Sequence, residues 1–153
     1  MRYIMYSRPI LDDLSQGSRI KFVRIFRHLS QDNVSDDLGI TGDNKRRTMT
    51  RYEKGDRNPS KSRLQQLSSI LLVNDNLIKQ YDFKNISDIL YFLLWLEEML
   101  PKMRIDLGSD NKIINLFFNE WDAMRDKKQK MIINYEEYFE WKLNYKVKED
   151  SNE

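Results

Sequence analysis

Apolar positions recur along this chain at helical spacing, and their character changes from residue 86. Between residues 17 and 28, Ile20, Val23 and Phe26 follow a helical period, with Arg19, Lys21, Arg24 and Arg27 on the other faces, which predicts a helix. Ser30 stands at an N-cap position, with Asn33 and Val34 in the next turn, so a second helix is expected over 31–38. Gly39 closes it, because glycine accepts the left-handed backbone of a helix end. Residues 41–44 have turn character. Asp43 or Asn44 is expected to cap a third helix reaching Lys54, where Gly55 stops it. After the loop "RNPS", Ser60 caps a fourth helix with Leu64, Leu67, Ile70 and Leu71 at helical spacing, and a short fifth is expected over 75–80.

From residue 86 the pattern is different. "ISDILYFLLWLEEML" is apolar nearly all round, as in a helix enclosed by others. Pro101 is expected to end it. In "KMRIDLGSD" Met103, Ile105 and Leu107 alternate, but a strand there would have no partner. "NKIINLFFNEWDAM" places Ile113, Phe117 and Trp121, and Ile114 and Phe118, four apart on an amphipathic helix with the polar continuation "RDKKQKM". A last helix, "YEEYFEWKLNY", follows a loop near Asn134 and is anchored by Tyr135, Tyr138, Phe139 and Trp141. The expected organisation is an all-α chain: an N-terminal extension over 1–16, one helical domain over 17–80, a second over 81–148, and a frayed tail over 149–153.

Composition narrows the classes. Five glycines and three prolines in 153 residues disfavour a turn-rich β fold. The absence of cysteine excludes disulfides and thiol chemistry and makes a reducing cytoplasm the expected compartment. The N-terminal residues show no long apolar run and no small-residue cleavage site, so no signal peptide is expected. The most apolar window includes Asp88, Glu97 and Glu98, whereas a membrane span needs roughly 20 residues with almost no charge. Net charge is +2, distributed unevenly: residues 17–63 hold 12 Lys/Arg against 6 Asp/Glu, and residues 64–153 hold 12 against 16. An anionic partner is therefore expected to meet only the basic block, residues 17–63. Thirteen of the 18 aromatics lie after residue 63. A stacking platform for single-stranded nucleic acid would need a positive groove, and this half is acidic, so the rings are assigned to core and subunit contact.

Four blocks in order, "GSRIKFVR", "LSQDNVSDDLGI", "TRYEKGDRNPS" and "LQQLSSILLV", resemble the helix-turn-helix domain of the Xre family, the lambda-repressor-like regulators. The chain departs from the common pattern in two places. About four extra residues separate Gly39 from Tyr52-Glu53, and Ser35 replaces a small apolar alanine. A subset of the family associated with mobile elements has the longer turn and a tail resembling "WDAMRDKKQKMIINYEEYFEWKLNY". The resemblance implies a transcriptional regulator, a repressor, that binds double-stranded DNA and needs no cofactor. It also implies that Gln31 fixes a phosphate or supports a base contact, and that Glu53 pairs with a basic residue, for which Arg57 and Arg19 are the candidates.

Residue chemistry points the same way. On a third helix Met49 and Tyr52 face inward while Asn44, Lys45, Arg47, Thr48 and Arg51 face outward. Arg and Lys suit guanine acceptors, Asn suits adenine, and a threonine methyl can touch thymine. Arg46 and Arg47 differ by about 100° on a helix, so one reads bases and the other binds phosphate. Ser30 and Gln31, at a helix start, are expected backbone anchors, and Lys54, Arg57 and Asn58 are expected to meet the flanking strand.

Catalysis has little support. His28 is the only histidine, and no glycine-rich phosphate loop or nucleophile elbow is present. Trp95, Phe117, Phe118, Trp121, Tyr138 and Trp141 are expected to form a homodimer or partner interface. A dimer would read half-sites of an inverted repeat about 34–36 Å apart. The alternative is an autoregulatory DNA-binding domain fused to a protein-interaction domain, as in an antitoxin or a phage-encoded inhibitor, with the C-terminal helices binding another protein.

Overall fold

A computed structural model describes residues 8–100 and 111–148. Among these residues the chain is all-α: α1 (Gln16–Phe26), α2 (Gln31–Asp37), α3 (Arg47–Lys54), α4 (Lys61–Leu71), α5 (Asp75–Ile78), α6 (Ile86–Met99), α7 (Lys112–Gln129) and α8 (Tyr135–Asn144). It divides into two compact units, Met1–Gln80 and Tyr81–Glu153. No described helix is long and apolar enough to cross a membrane. Pro101, the alternating stretch after it and the tail over 149–153 lie outside the described residues.

Side-chain caps set most helix starts. Ser15, Ser30, Ser60, Asn74, Asn85, Asn111 and Asn134 each accept a backbone N–H of the first turn, with full capping boxes at Ser30 and Asn134. The third helix is the exception. It starts at Arg47 rather than at Asp43 or Asn44, and its N-cap, Arg46, makes no side-chain cap bond. Asn44 and Lys45 therefore belong to the preceding turn.

In the first unit α1 packs on α3 and α5, α2 on α3 and α4, and α4 on α5. Ile20, Phe22, Val23, Val34, Met49, Leu67, Leu71 and Ile78 close the core. Arginines expected on the other faces of the first helix turn inward instead, Arg19 and Arg27 onto backbone carbonyls. Arg19, 2% exposed, donates to the carbonyls of Leu14 (3.2 Å), Leu77 (2.7 Å) and Lys79 (2.8 Å). Arg27 donates to those of Leu71 (2.8 Å) and Leu72 (2.6 Å). The last carbonyls of a helix have no partner within it, and these guanidinium groups supply one.

Ser35 is fully buried and its hydroxyl has no hydrogen-bond partner. A buried unpaired hydroxyl is destabilising.

The second unit is built on aromatic rings. Trp95, Phe117, Phe118, Trp121 and Tyr138 are each at most 5% exposed, so five of the six side chains expected at an interface are interior to their own unit. Trp141 alone is half-buried, beside Tyr138 and Tyr145. So small a unit has little volume to bury, and large rings fill it efficiently. Within it lies an ionic group. Lys142, 1% exposed, donates to Glu98 Oε1 (2.7 Å) and the Leu94 carbonyl (3.2 Å) and pairs with Glu97 Oε1 (2.7 Å). The Tyr138 hydroxyl accepts from Trp121 Nε1 (2.8 Å) and donates to Glu97 Oε1 (2.5 Å). Burial, reinforced by Glu97, pushes its ionisation far above the ordinary tyrosine range. These bonds tie α6, α7 and α8 together.

Two stability changes are expected. Ser35→Ala stabilises the first unit by about 1 kcal/mol, read as slower amide exchange of Ile20 and Val23, since the lost hydroxyl satisfies nothing. Lys142→Ala destabilises the second by about 3–5 kcal/mol, because buried Glu98 loses its cation and Glu97 is left with Arg125 alone, at 3.9 Å. All three tryptophans lie in the second unit, so their fluorescence during urea unfolding reports that loss.

Candidate nucleic-acid interface

The third helix has two unlike sides. At about 100° per residue, Arg47, Arg51 and Lys54 fall within a narrow arc, and Met49 and Tyr52 lie roughly opposite. Met49 is 0% exposed and Tyr52 4%. Arg47, Arg51 and Lys54 are exposed, and among the described residues none has a hydrogen-bond or ion-pair partner. Arg57 and Asn58, in the loop after Gly55, are likewise exposed and unpaired. Gly55 adopts φ +80 as the helix ends, a conformation that favours glycine. Thr48 is half-buried at the edge of the stripe, and Asn44 is exposed in the turn.

The buried side of the helix is fixed from two directions. Gly17 of α1 lies against its backbone: a methyl group there would meet the Glu53 carbonyl oxygen at 2.5 Å and the Tyr52 carbonyl oxygen closer still. Glu53 then forms an ion pair with Arg24 of α1, whose Nε donates to Oε1 at 2.5 Å and Nη2 to Oε2 at 3.3 Å. The two side chains are 11% and 5% exposed, Arg24 and Glu53 respectively. Arg24 is the partner, rather than Arg57 or Arg19. Arg19 is committed to helix-end carbonyls, and Arg57 lies beyond the left-handed turn at Gly55. Arg24 also donates to the Leu29 carbonyl (2.8 Å). Gln31 Nε2 donates to Glu53 Oε2 (2.7 Å), and Gln31 Oε1 accepts from the Thr50 hydroxyl (3.2 Å). One carboxylate thus joins three helices.

That network engages the start of α2 inside the fold. Gln31 bridges Glu53 and Thr50, so its amide orients α3 from within. Ser30 is committed to its capping box: its hydroxyl accepts from the Asn33 N–H (2.9 Å), and its own N–H donates to Asn33 Oδ1 (2.9 Å). Gln31 supports the cationic helix directly, and Ser30 caps the helix that carries Gln31.

The longer turn, residues 38–46, carries Gly39 at φ +76 and Gly42 at φ +107. It folds back on α2. Lys45 Nζ donates to Asp36 Oδ1 (2.8 Å), and Arg46 donates to Asp32 through Nε (3.1 Å) and Nη2 (2.9 Å). Both cations, expected from the sequence to contact DNA, are thus ion-paired within the chain itself. Arg46 and Arg47 differ in their surroundings: Arg46 pairs with Asp32, and Arg47 stands in the open stripe. Sequence reasoning missed Asp32 and Asp36. Their spacing of four on one helix face, across a turn from two adjacent cations, was the available signal. His28, at the end of α1, is exposed with φ 58.

Glu53→Ala is expected to destabilise the first unit by about 3 kcal/mol, since it strands a largely buried guanidinium, and Glu53→Gln by less; denaturant melts of the full chain followed by circular dichroism compare the two. No protein-family model, curated protein or solved structure matches the chain.

Proposed function

We propose that this chain is a sequence-specific double-stranded DNA-binding protein, a transcriptional regulator of the Xre type acting in the cytoplasm without catalytic activity. One observation carries the reading: Arg47, Arg51 and Lys54 form a single exposed, unpaired stripe on a helix whose other side is buried and pinned through Glu53. A helix that enters a major groove needs long donors on one side and a rigid support behind. Guanidinium groups that make no internal bond lose none when they meet guanine O6 and N7. Lys54 and Arg57, at the helix end and in the following loop, suit phosphates of the flanking strand.

Contact with DNA through this stripe is independent of oligomeric state. The rings that motivated a homodimer are core of the second unit, so an inverted-repeat operator is no longer required by them. Repression is the proposed direction of regulation, taken from the family resemblance.

Selection of bound sequences from a random duplex pool, followed by titration of the winner, tests the proposal. Arg47→Ala and Arg51→Ala are each expected to cost about 1–3 kcal/mol of affinity and to relax preference at one position. Lys54→Ala and Arg57→Ala are expected to weaken binding uniformly across sequences and to reduce the salt slope by about one each. Recovery of no preferred sequence, or an Arg51→Ala variant with unchanged preference, overturns the assignment of α3 as the reading helix.

A further inference from the structure

Four side chains beside the cationic stripe cancel one another. Asp32 and Asp36 stand four residues apart on α2, and each takes one cation from the turn that precedes α3. Asp32 receives Arg46 through two N–H groups, at 3.1 and 2.9 Å, in the forked geometry that matches a guanidinium to a carboxylate. Asp36 receives Lys45 at 2.8 Å, and this hydrogen bond holds the Lys45 ammonium above its ordinary ionisation range. The group is partly exposed, with Arg46 at 66% and Asp36 at 56% side-chain exposure, so phosphates could approach it. Asp37, next along the same helix, is exposed and holds no cation.

Sequence-independent attraction to duplex DNA grows with the number of cations that displace counterions from phosphates. A cation already neutralised by a carboxylate displaces none. If phosphate were to take it, the stranded carboxylate would face the polyanion at close range, so the quartet stays net neutral whichever partner the cation has. Without the two acids, the first unit would present Lys45 and Arg46 to any duplex, next to Arg47.

We infer that Asp32 and Asp36 are specificity-determining residues: by neutralising Arg46 and Lys45 they keep attraction to arbitrary DNA low, and leave discrimination to Arg47 and Arg51. The inference rests on the DNA-binding function proposed above.

The test uses the full chain, a duplex of random sequence and the duplex recovered by selection, with binding followed by fluorescence anisotropy between 50 and 200 mM salt. For Asp32→Asn with Asp36→Asn, the slope of log affinity against log salt on random duplex steepens by about 1.8, two phosphates at about 0.9 each. Affinity then falls about tenfold more over that range than for the unaltered chain, and the ratio of selected to random affinity drops at the low-salt end. Asp37→Asn, which removes the same kind of charge but releases no cation, leaves the slope where it was. Lys45→Gln with Arg46→Gln leaves the slope unchanged in the unaltered background and returns it to normal in the double-asparagine background. An unchanged slope in the double-asparagine variant, with a circular dichroism spectrum like that of the unaltered chain, overturns the inference alone. So does a slope flattened by about 1.8 when only the two cations are replaced. Failure of the unaltered chain to bind either duplex overturns the DNA-binding function and this inference with it.

Discussion

The first unit depends on one carboxylate. Glu53 sits on the buried flank of α3 and takes Arg24 from α1 and Gln31 from α2, at 2.5 and 2.7 Å. A largely buried charge must be paired and hydrogen-bonded to be tolerated, and this one is satisfied only when all three helices are in register. Gly17 sharpens the constraint, since the close approach of α1 to the backbone at Tyr52 and Glu53 leaves no room for a side chain. The stripe of Arg47, Arg51 and Lys54 inherits its direction from these contacts. An eight-residue helix has too little propensity to stand by itself, so the face it offers is a property of the helices behind it.

Electrostatics around that stripe are arranged as much by subtraction as by addition. Residues 17–63 hold 12 cations, yet many are engaged inside the unit: Arg19 and Arg27 on helix-end carbonyls, Arg24 on Glu53, Lys45 and Arg46 on acids of α2. What is left unpaired among the described residues is a compact set on one helix and the loop after it, with Lys61 at the start of α4. A net charge counted along the sequence overstates the field at the surface, because it includes cations whose task is to hold carbonyls and carboxylates in place.

The second unit solves a different problem. Its helices join through rings and a buried Lys142 that answers two adjacent glutamates. Such a group is expensive to desolvate unless every partner is present, and here Tyr138 and Trp121 extend the bonding to α7. Glu97 and Glu98, which read in sequence as charges spoiling an apolar helix, are the acceptors that make Lys142 tolerable inside.

The sequence by itself determined most of the helices and several of their ends, since periodicity and capping are local: Ser30, Ser60 and Gly55 act where their spacing placed them, while the start of α3, which has no side-chain cap, was misplaced. It also determined that Met49 and Tyr52 face inward and Arg47 and Arg51 outward, because a helix of known period has only one way to separate them. Only the tertiary structure decided which cations are free. Arg24 rather than Arg19 or Arg57 meets Glu53, and Lys45 and Arg46 fold onto Asp36 and Asp32, because pairing depends on distances between helices that lie 9 to 29 residues apart in the chain. The interior place of Trp95 and Trp121 was decided in the same way: an aromatic ring looks alike in sequence whether it fills its own unit or waits for another surface, and burial is a property of the packed whole.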